Sequence, residues 1–132
     1  MRVRQRPALA CALLSLLSTH VPADASRLEY SNKWRIECSE GADSDGEIVF
    51  RVTPRGGTAL EVRALIEDGT GENRVADEIR KAFRLQTDRS RFHSERDDGE
   101  DVLVKRKGSA PVFALELVRN TVKGVRLDLE RE

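Results

Sequence analysis

The stretch that decides the fold is Asp68–Gln86, DGTGENRVADEIRKAFRLQ, because the hydrophobic period changes inside it. The glycines at its start interrupt the strand pattern that precedes them. From Glu72 onward, apolar residues recur at helical spacing and form one stripe: Val75, Ala76, Ile79, Ala82 and Phe83. Glu72 lies in the first turn, where a negative charge suits the helix dipole, and Thr70 is the predicted N-cap. The stretch therefore predicts one amphipathic helix.

Three segments before the helix alternate between apolar and polar residues, which is typical of half-buried strands. They cover residues 28–38, 47–53 and 59–67, separated by turns rich in Asp, Gly and Pro. The short connections favour an antiparallel meander of these three strands. In the first strand, Cys38 has the same parity as Trp34, so its thiol is predicted to be buried.

Four more strands are predicted after the helix, over residues 91–96, 101–107, 112–118 and 125–129. The first two flank Asp97-Asp98-Gly99, which is a hairpin signal. The predicted order is therefore β-β-β-α-β-β-β-β. It describes a single α+β domain, in which an antiparallel sheet of about six to seven strands carries the helix on one face.

The N-terminus has the three-part pattern of a secretory signal peptide. Three arginines precede the apolar run at residues 8–17, and Ala23-Asp24-Ala25 follows as a cleavage motif. The run is shorter than the roughly 20 residues of a transmembrane helix. The alternative is a buried N-terminal helix. We predict a signal peptide over residues 1–25, a domain over residues 26–132, and a secreted or periplasmic protein without a membrane anchor after cleavage.

Charge limits the classes of partner. The chain has 132 residues, with 23 basic and 23 acidic side chains. Residues 26–132 alone hold 20 basic and 22 acidic side chains and are slightly acidic. This balance provides no long-range attraction to nucleic acid or to an anionic membrane, and the aromatic residues follow the core pattern instead of forming a stacking platform. Neither is a predicted partner.

Candidate residues for chemistry are few. Residues 26–132 hold one histidine, His93, and one cysteine, Cys38, which is too few for a typical zinc site. The acidic loops at 40–47 and 97–101 lack the EF-hand spacing, and calcium binding there is left as an alternative. Cys38 is predicted to point inward and His93 outward, which separates a thiol from its base. We therefore predict no catalytic, metal or cofactor residue and no enzyme activity; a dimer linked through Cys38 is disfavoured by the predicted burial.

Five basic residues accompany the second hairpin: Arg89, Arg91, Lys105, Arg106 and Lys107. Cations on exposed strands can serve to keep sheet edges from aggregating. The other interpretation is a positive surface for an acidic protein partner. These five residues are the predicted partner-binding candidates, alongside a free sheet edge.

Residues 66–117 combine several short motifs: IEDGTGEN at 66–73, the helix that contains Val75 and Ile79, DGEDVLV at 98–104 and FALEL at 113–117. This combination resembles the small strand–helix–hairpin modules inserted in phage tail and flagellar filament proteins. The resemblance implies a decorative or interaction domain without catalytic residues. The predicted function is an exported, non-enzymatic protein-binding module. Two alternatives stay open, a structural subunit of a cell-surface or envelope assembly and a small hydrolase whose site no motif reveals.

Overall fold

The computed structural model describes residues 27–132, and the predicted signal peptide lies outside them. Within this range, seven strands and one helix follow the predicted order and confirm the α+β class. The element bounds are β1 Lys33–Ser39, β2 Gly46–Pro54, β3 Leu60–Ile66, α1 Glu72–Gln86, β4 Phe92–Asp97, β5 Asp101–Arg106, β6 Phe113–Asn120 and β7 Arg126–Arg131.

The strands form two antiparallel sheets, where the sequence pattern had suggested one. The four-stranded sheet has the order β4-β5-β1-β7, and the three-stranded sheet has the order β3-β2-β6. β1 pairs with β5 and β7, so the predicted meander is wrong for β1 and holds only for β2 and β3. The loop at residues 40–45 carries the chain from one sheet to the other and begins with Glu40 in the left-handed region, at φ 64°.

α1 packs against both sheets and covers the core between them. It contacts β3 of the three-stranded sheet and β4, β5 and β1 of the four-stranded sheet. Its buried residues are the five of the predicted stripe. The ring of Phe83 lies against that of Phe50, with centroids 5.3 Å apart. Because each fully buried large apolar side chain contributes about 1.5–3 kcal/mol, this stripe holds the helix in place.

The start of α1 differs from the prediction. The N-cap is Gly71, which is extended at φ −69° and ψ 161° and provides no side-chain hydrogen bond. The hydroxyl of Thr70 donates instead to the carbonyl oxygen of Glu67, at 2.6 Å. The prediction of Thr70 as N-cap is wrong because its hydroxyl is used to close the turn that follows β3.

Side chains tie α1 to the sheet edges beside it. The amide of Gln86 accepts a hydrogen bond from the backbone N–H of Arg63 at 2.8 Å and donates one to the carbonyl oxygen of the same residue at 2.7 Å. The hydroxyl of Ser94, on β4, donates to the carbonyl oxygen of Arg80 at 3.2 Å. The edge strands β3 and β4 are therefore both anchored to the helix.

The remaining edge strands, β6 and β7, contact each other. The segment before β1 reaches β6 through an isolated bridge between Ser31 and Phe113. Further along β6, Leu117 is 36% exposed and Val118 is 39% exposed. This part of β6 combines an edge position with exposed apolar side chains.

Candidate functional site

A cavity of about 280 Å³ lies where the end of α1 meets the start of β4 and the loop after β5. It is lined by Arg80, Arg84, Thr87, Arg89, Phe92, His93, Ser94 and Lys107. We call this cavity, with the cations Arg84, Arg89 and Lys107, the basic end. Its lining brings together two consecutive turns of α1 and two loops that are distant in sequence.

The local sequence explains how the helix stops at this cavity. Thr87 is extended, and both its backbone N–H and its hydroxyl donate to the carbonyl oxygen of Phe83, at 3.1 and 2.6 Å. The carboxylate of Asp88 then accepts hydrogen bonds from the hydroxyl and the N–H of Ser90 at 2.6 and 2.8 Å. These bonds from Ser90 lower the pKa of Asp88. The resulting tight turn brings Arg89 back beside the helix end.

Two of the three cations of the basic end, Arg89 and Lys107, bond to backbone oxygens. Arg89 Nε donates to the carbonyl oxygen of Arg84 at 3.3 Å, and Lys107 Nζ donates to that of Arg89 at 2.9 Å. Among residues 27–132, neither of these cations nor Arg84 forms an ion pair with a carboxylate. Arg80, deeper in the cavity lining, does form one with Asp77 at 3.0 Å. The basic end therefore holds positive charge that the described fold does not neutralise.

The structure places three of the five predicted partner-binding residues at or beside this cavity. Arg89 and Lys107 line it directly. Arg91 lines an adjoining shallow depression of about 380 Å³, and its Nε lies 3.8 Å from the carboxylate of Asp88. Lys107 contributes to both. Of the five predicted residues, Arg89 and Lys107 therefore share one cavity, and Arg91 lies beside it.

The other two predicted residues are occupied by neighbours. Lys105 Nζ pairs with a carboxylate oxygen of Glu95, its diagonal neighbour across the β4–β5 hairpin, at 2.5 Å. Arg106 donates to the side-chain oxygen of Asn32 at 2.5 Å and to the carbonyl oxygen of Ala110 at 2.9 Å. Both are partly buried. They support the hairpin and the loop that follows it, and they present less free charge than the sequence pattern had suggested.

Arg80 and Arg84 are cavity residues that the sequence reasoning missed. Both lie on α1, and their spacing of i, i+4 puts them on one face of the helix. That spacing, together with the basic residues at 89 and 107, is the signal in the sequence that indicates this cluster. The apolar stripe of the same helix predicts only its buried face.

A second charged cluster lies on the outer face of the four-stranded sheet, and we call it the Arg35 cluster. The guanidinium of Arg35 contacts Glu132 at 2.6 Å, Asp101 at 2.7 Å and Asp97 at 3.1 Å. These partners, Glu132 first, raise the pKa of Arg35 above its already high ordinary value. Lys33 Nζ also reaches Glu132, at 2.5 Å. The side chain of Arg35 is only 18% exposed, so its charge is enclosed by its own partners.

One carboxylate beside the Arg35 cluster is only partly compensated by a cation. Glu37 lies two residues further along β1, opposite Asp101 on one side and Asp128 on the other. The charge of Glu130 is the largest cause that raises the pKa of Glu37, followed by desolvation, Asp101 and Asp128. The carboxylates at this end of the sheet face therefore repel one another at neutral pH.

Cys38 and His93 lie on opposite faces of the four-stranded sheet. Cys38 is 1% exposed within the core, which confirms its predicted burial. Burial, with smaller contributions from Asp101 and Glu100, raises the pKa of its thiol to about 12. His93 is exposed, with Nε2 3.2 Å from a carboxylate oxygen of Glu95. The two side chains do not form a thiol–imidazole pair.

Metal-site geometry, membrane-spanning character and similarity to known proteins do not identify a function for the described chain. Within residues 27–132, no group of three or more His, Cys, Asp or Glu side chains is arranged to hold a metal ion. In the same range, no helix combines the length and the apolar character needed to span a bilayer. No family model, curated protein or solved structure matches the chain. The resemblance to phage tail and flagellar modules therefore stays a prediction.

Proposed function

We propose that this protein is an exported, non-enzymatic module that binds an acidic protein through the basic end. The observation that carries the proposal is the convergence of Arg84, Arg89 and Lys107 around one cavity without a carboxylate partner among residues 27–132. Export rests on the sequence pattern of residues 1–25.

The charge distribution supports this use of the surface. Most arginines and lysines on the sheet faces of the described chain are paired, as Arg51 is with Glu61 and Arg119 is with Glu47. Complementary charge across an interface increases the association rate and selects the partner more than it adds raw affinity. A cluster of three unneutralised cations around one cavity, on a slightly acidic domain, is suited to that role because it attracts an acidic partner toward that surface.

A capture experiment with charge-reversed variants tests the proposal. The test variant is R84E/R89E/K107E, and the matched control is R74E/K123E/R126E, which reverses three exposed cations away from the cavity. Each immobilised protein is exposed to an extracytoplasmic extract of the source cells, and retained proteins are eluted by salt. We expect a protein that the wild type and the control retain and that the test variant loses. Equal retention by all three, or none by the wild type, would contradict the proposal.

A structural subunit of a cell-surface or envelope assembly is the second candidate. The exposed Leu117 and Val118 on the edge strand β6 favour it, because an apolar, unpaired edge can accept another strand. Sedimentation velocity at increasing concentration tests it. Growth that Val118→Lys abolishes would support assembly through β6, and a monomer at every concentration would remove this candidate.

A further inference from the structure

We infer that the cavity of the basic end is a binding site for a tetrahedral oxyanion, that is, a phosphate or sulfate group. This goes beyond the proposed protein-binding function, since it assigns a small-ligand site that works without a protein partner. It uses the same three cations, so the two ideas need separate readouts. The argument depends on which donors are free, on the direction from which they come, and on what surrounds them.

Donor capacity remains on all three cations. The side chain of Arg84 has no hydrogen-bond partner among residues 27–132, so its five N–H donors are free. Arg89 donates from Nε to a carbonyl oxygen, and the N–H groups of its two terminal nitrogens stay unused. Lys107 commits one of its three ammonium protons. The cavity therefore offers several charged N–H donors that the fold leaves unused.

These donors come from separate segments, which favours a tetrahedral ligand. Arg84 projects from α1, Arg89 from the turn after it, and Lys107 from the loop after β5. A planar carboxylate is matched by a single bidentate guanidinium. Phosphate and sulfate have oxygens on every side and accept from several directions at once, and guanidinium groups are well suited to them. Donors that converge from three segments therefore fit a tetrahedral oxyanion better than a planar carboxylate.

The carboxylates near the cavity are paired, and two of the carbonyl oxygens at the end of α1 accept hydrogen bonds. The helix C-terminus would repel an anion through its free carbonyl oxygens. Here the carbonyl oxygen of Phe83 accepts two hydrogen bonds from Thr87, and that of Arg84 accepts one from Arg89. The nearby carboxylates are paired as well: Asp77 with Arg80 and Lys81, Asp88 with Arg91, and Glu95 with Lys105 and His93. An anion in the cavity therefore meets unneutralised cations, while the nearby carboxylates are paired.

An NMR titration of the ¹⁵N-labelled protein with inorganic phosphate, at constant pH and ionic strength, tests the inference. We expect saturable shifts confined to the amides of residues 84–94 and 107–108. R84Q/R89Q/K107Q should weaken binding by at least about tenfold, because it removes charge-assisted hydrogen bonds. R74Q/K123Q/R126Q, which removes equal charge elsewhere, should bind as the wild type does. Shifts that do not saturate, that persist in the test variant, or that acetate reproduces at equal concentration would overturn the inference.

Two further comparisons are needed. One distinguishes an esterified phosphate from the free ion, and the other tests the oxyanion site separately from the protein-binding function. Phenyl phosphate that binds at least as tightly as inorganic phosphate identifies an esterified group, whereas preference for inorganic phosphate identifies the free ion. If the wild type retains a protein partner in the capture experiment but shows no saturable phosphate binding, the oxyanion site is refuted and the proposed function is not. The reverse pair of results refutes the protein-binding function and keeps the oxyanion site.

Discussion

The Arg35 cluster and the basic end use arginine in opposite ways. Arg35 is surrounded by three carboxylates that contact its guanidinium, so its charge is neutralised inside the fold. Arg89 and Lys107 of the basic end donate to carbonyl oxygens, which satisfy hydrogen bonds without cancelling charge. The difference teaches that a cation can be well bonded and still available electrostatically. It also separates cations that hold this fold together from cations that can recognise something outside it.

The largest effect should come from breaking the Arg35 cluster. Arg35→Met should lower the free energy of unfolding by roughly 1–2 kcal/mol, because three carboxylates lose hydrogen bonds to a charged donor and repel one another. Arg84→Met, at the basic end, should stay within about 0.5 kcal/mol of the wild type. Urea unfolding followed by circular dichroism measures both. Equal losses in the two variants would remove the distinction between the clusters.

The pH dependence of two carboxylates should sharpen the comparison. Hydrogen bonds from Lys33 and Arg35 lower the pKa of Glu132, so its ionised form stabilises the fold. Glu132→Gln should therefore destabilise the protein at pH 7, and the difference should vanish as pH falls through the lowered pKa. Glu37 has a raised pKa, mainly through Glu130, so its ionised form is a liability.

Glu37→Gln should accordingly stabilise the protein at pH 7, by less than Arg35→Met destabilises it. That gain should begin to shrink as pH falls to the raised pKa and should be gone below the ordinary pKa of a glutamate, where the wild-type carboxyl is neutral in both the folded and the unfolded state. Unfolding curves of both variants between pH 3 and pH 7 check the signs. A loss of stability in the Glu37 variant at pH 7 would show that its neighbours do not repel it.

The smallest effect should be that of salt. Screening weakens both attraction within the Arg35 cluster and repulsion among the three cations of the basic end. R84Q/R89Q/K107Q removes only the repulsion, so added sodium chloride should destabilise this variant slightly more than the wild type. Thermal unfolding from low to physiological salt measures the difference. An identical salt response would mean that the three cations are already neutralised.

Sequence periodicity was enough to predict the elements, and it was not enough to predict their partners. Alternation over residues 28–38 identifies the buried face of β1, including Cys38, whichever strand lies beside it. That β1 pairs with β5 and β7 depends on the path of the loop at 40–45, which places β2 in the other sheet. The division into two sheets is therefore a tertiary property without a local signal.

The candidate site was predicted in part for a similar reason. Arg89 and Lys107 are in loops, where charge stays exposed, and the sequence pattern identified both. Lys105 lies on a strand, and its partner Glu95 becomes its neighbour only through the register of the β4–β5 hairpin. Arg84 was overlooked because its helix was interpreted by its buried stripe and not by its outer face. Cross-strand register and helix placement decide which cations stay free.

The side-chain amide of Gln86 protects part of the β3 edge from pairing with a strand of another molecule. It presents to Arg63 the donor and the acceptor that another strand would present, so one residue at the end of α1 takes the place of a neighbouring chain. Fraying of the last helical turn, by heat or by a proteolytic cut near residue 87, would leave this part of the β3 edge open to pairing with another strand. We expect aggregation through the β3 edge to follow local fraying of the last turn of α1 and to require no global unfolding.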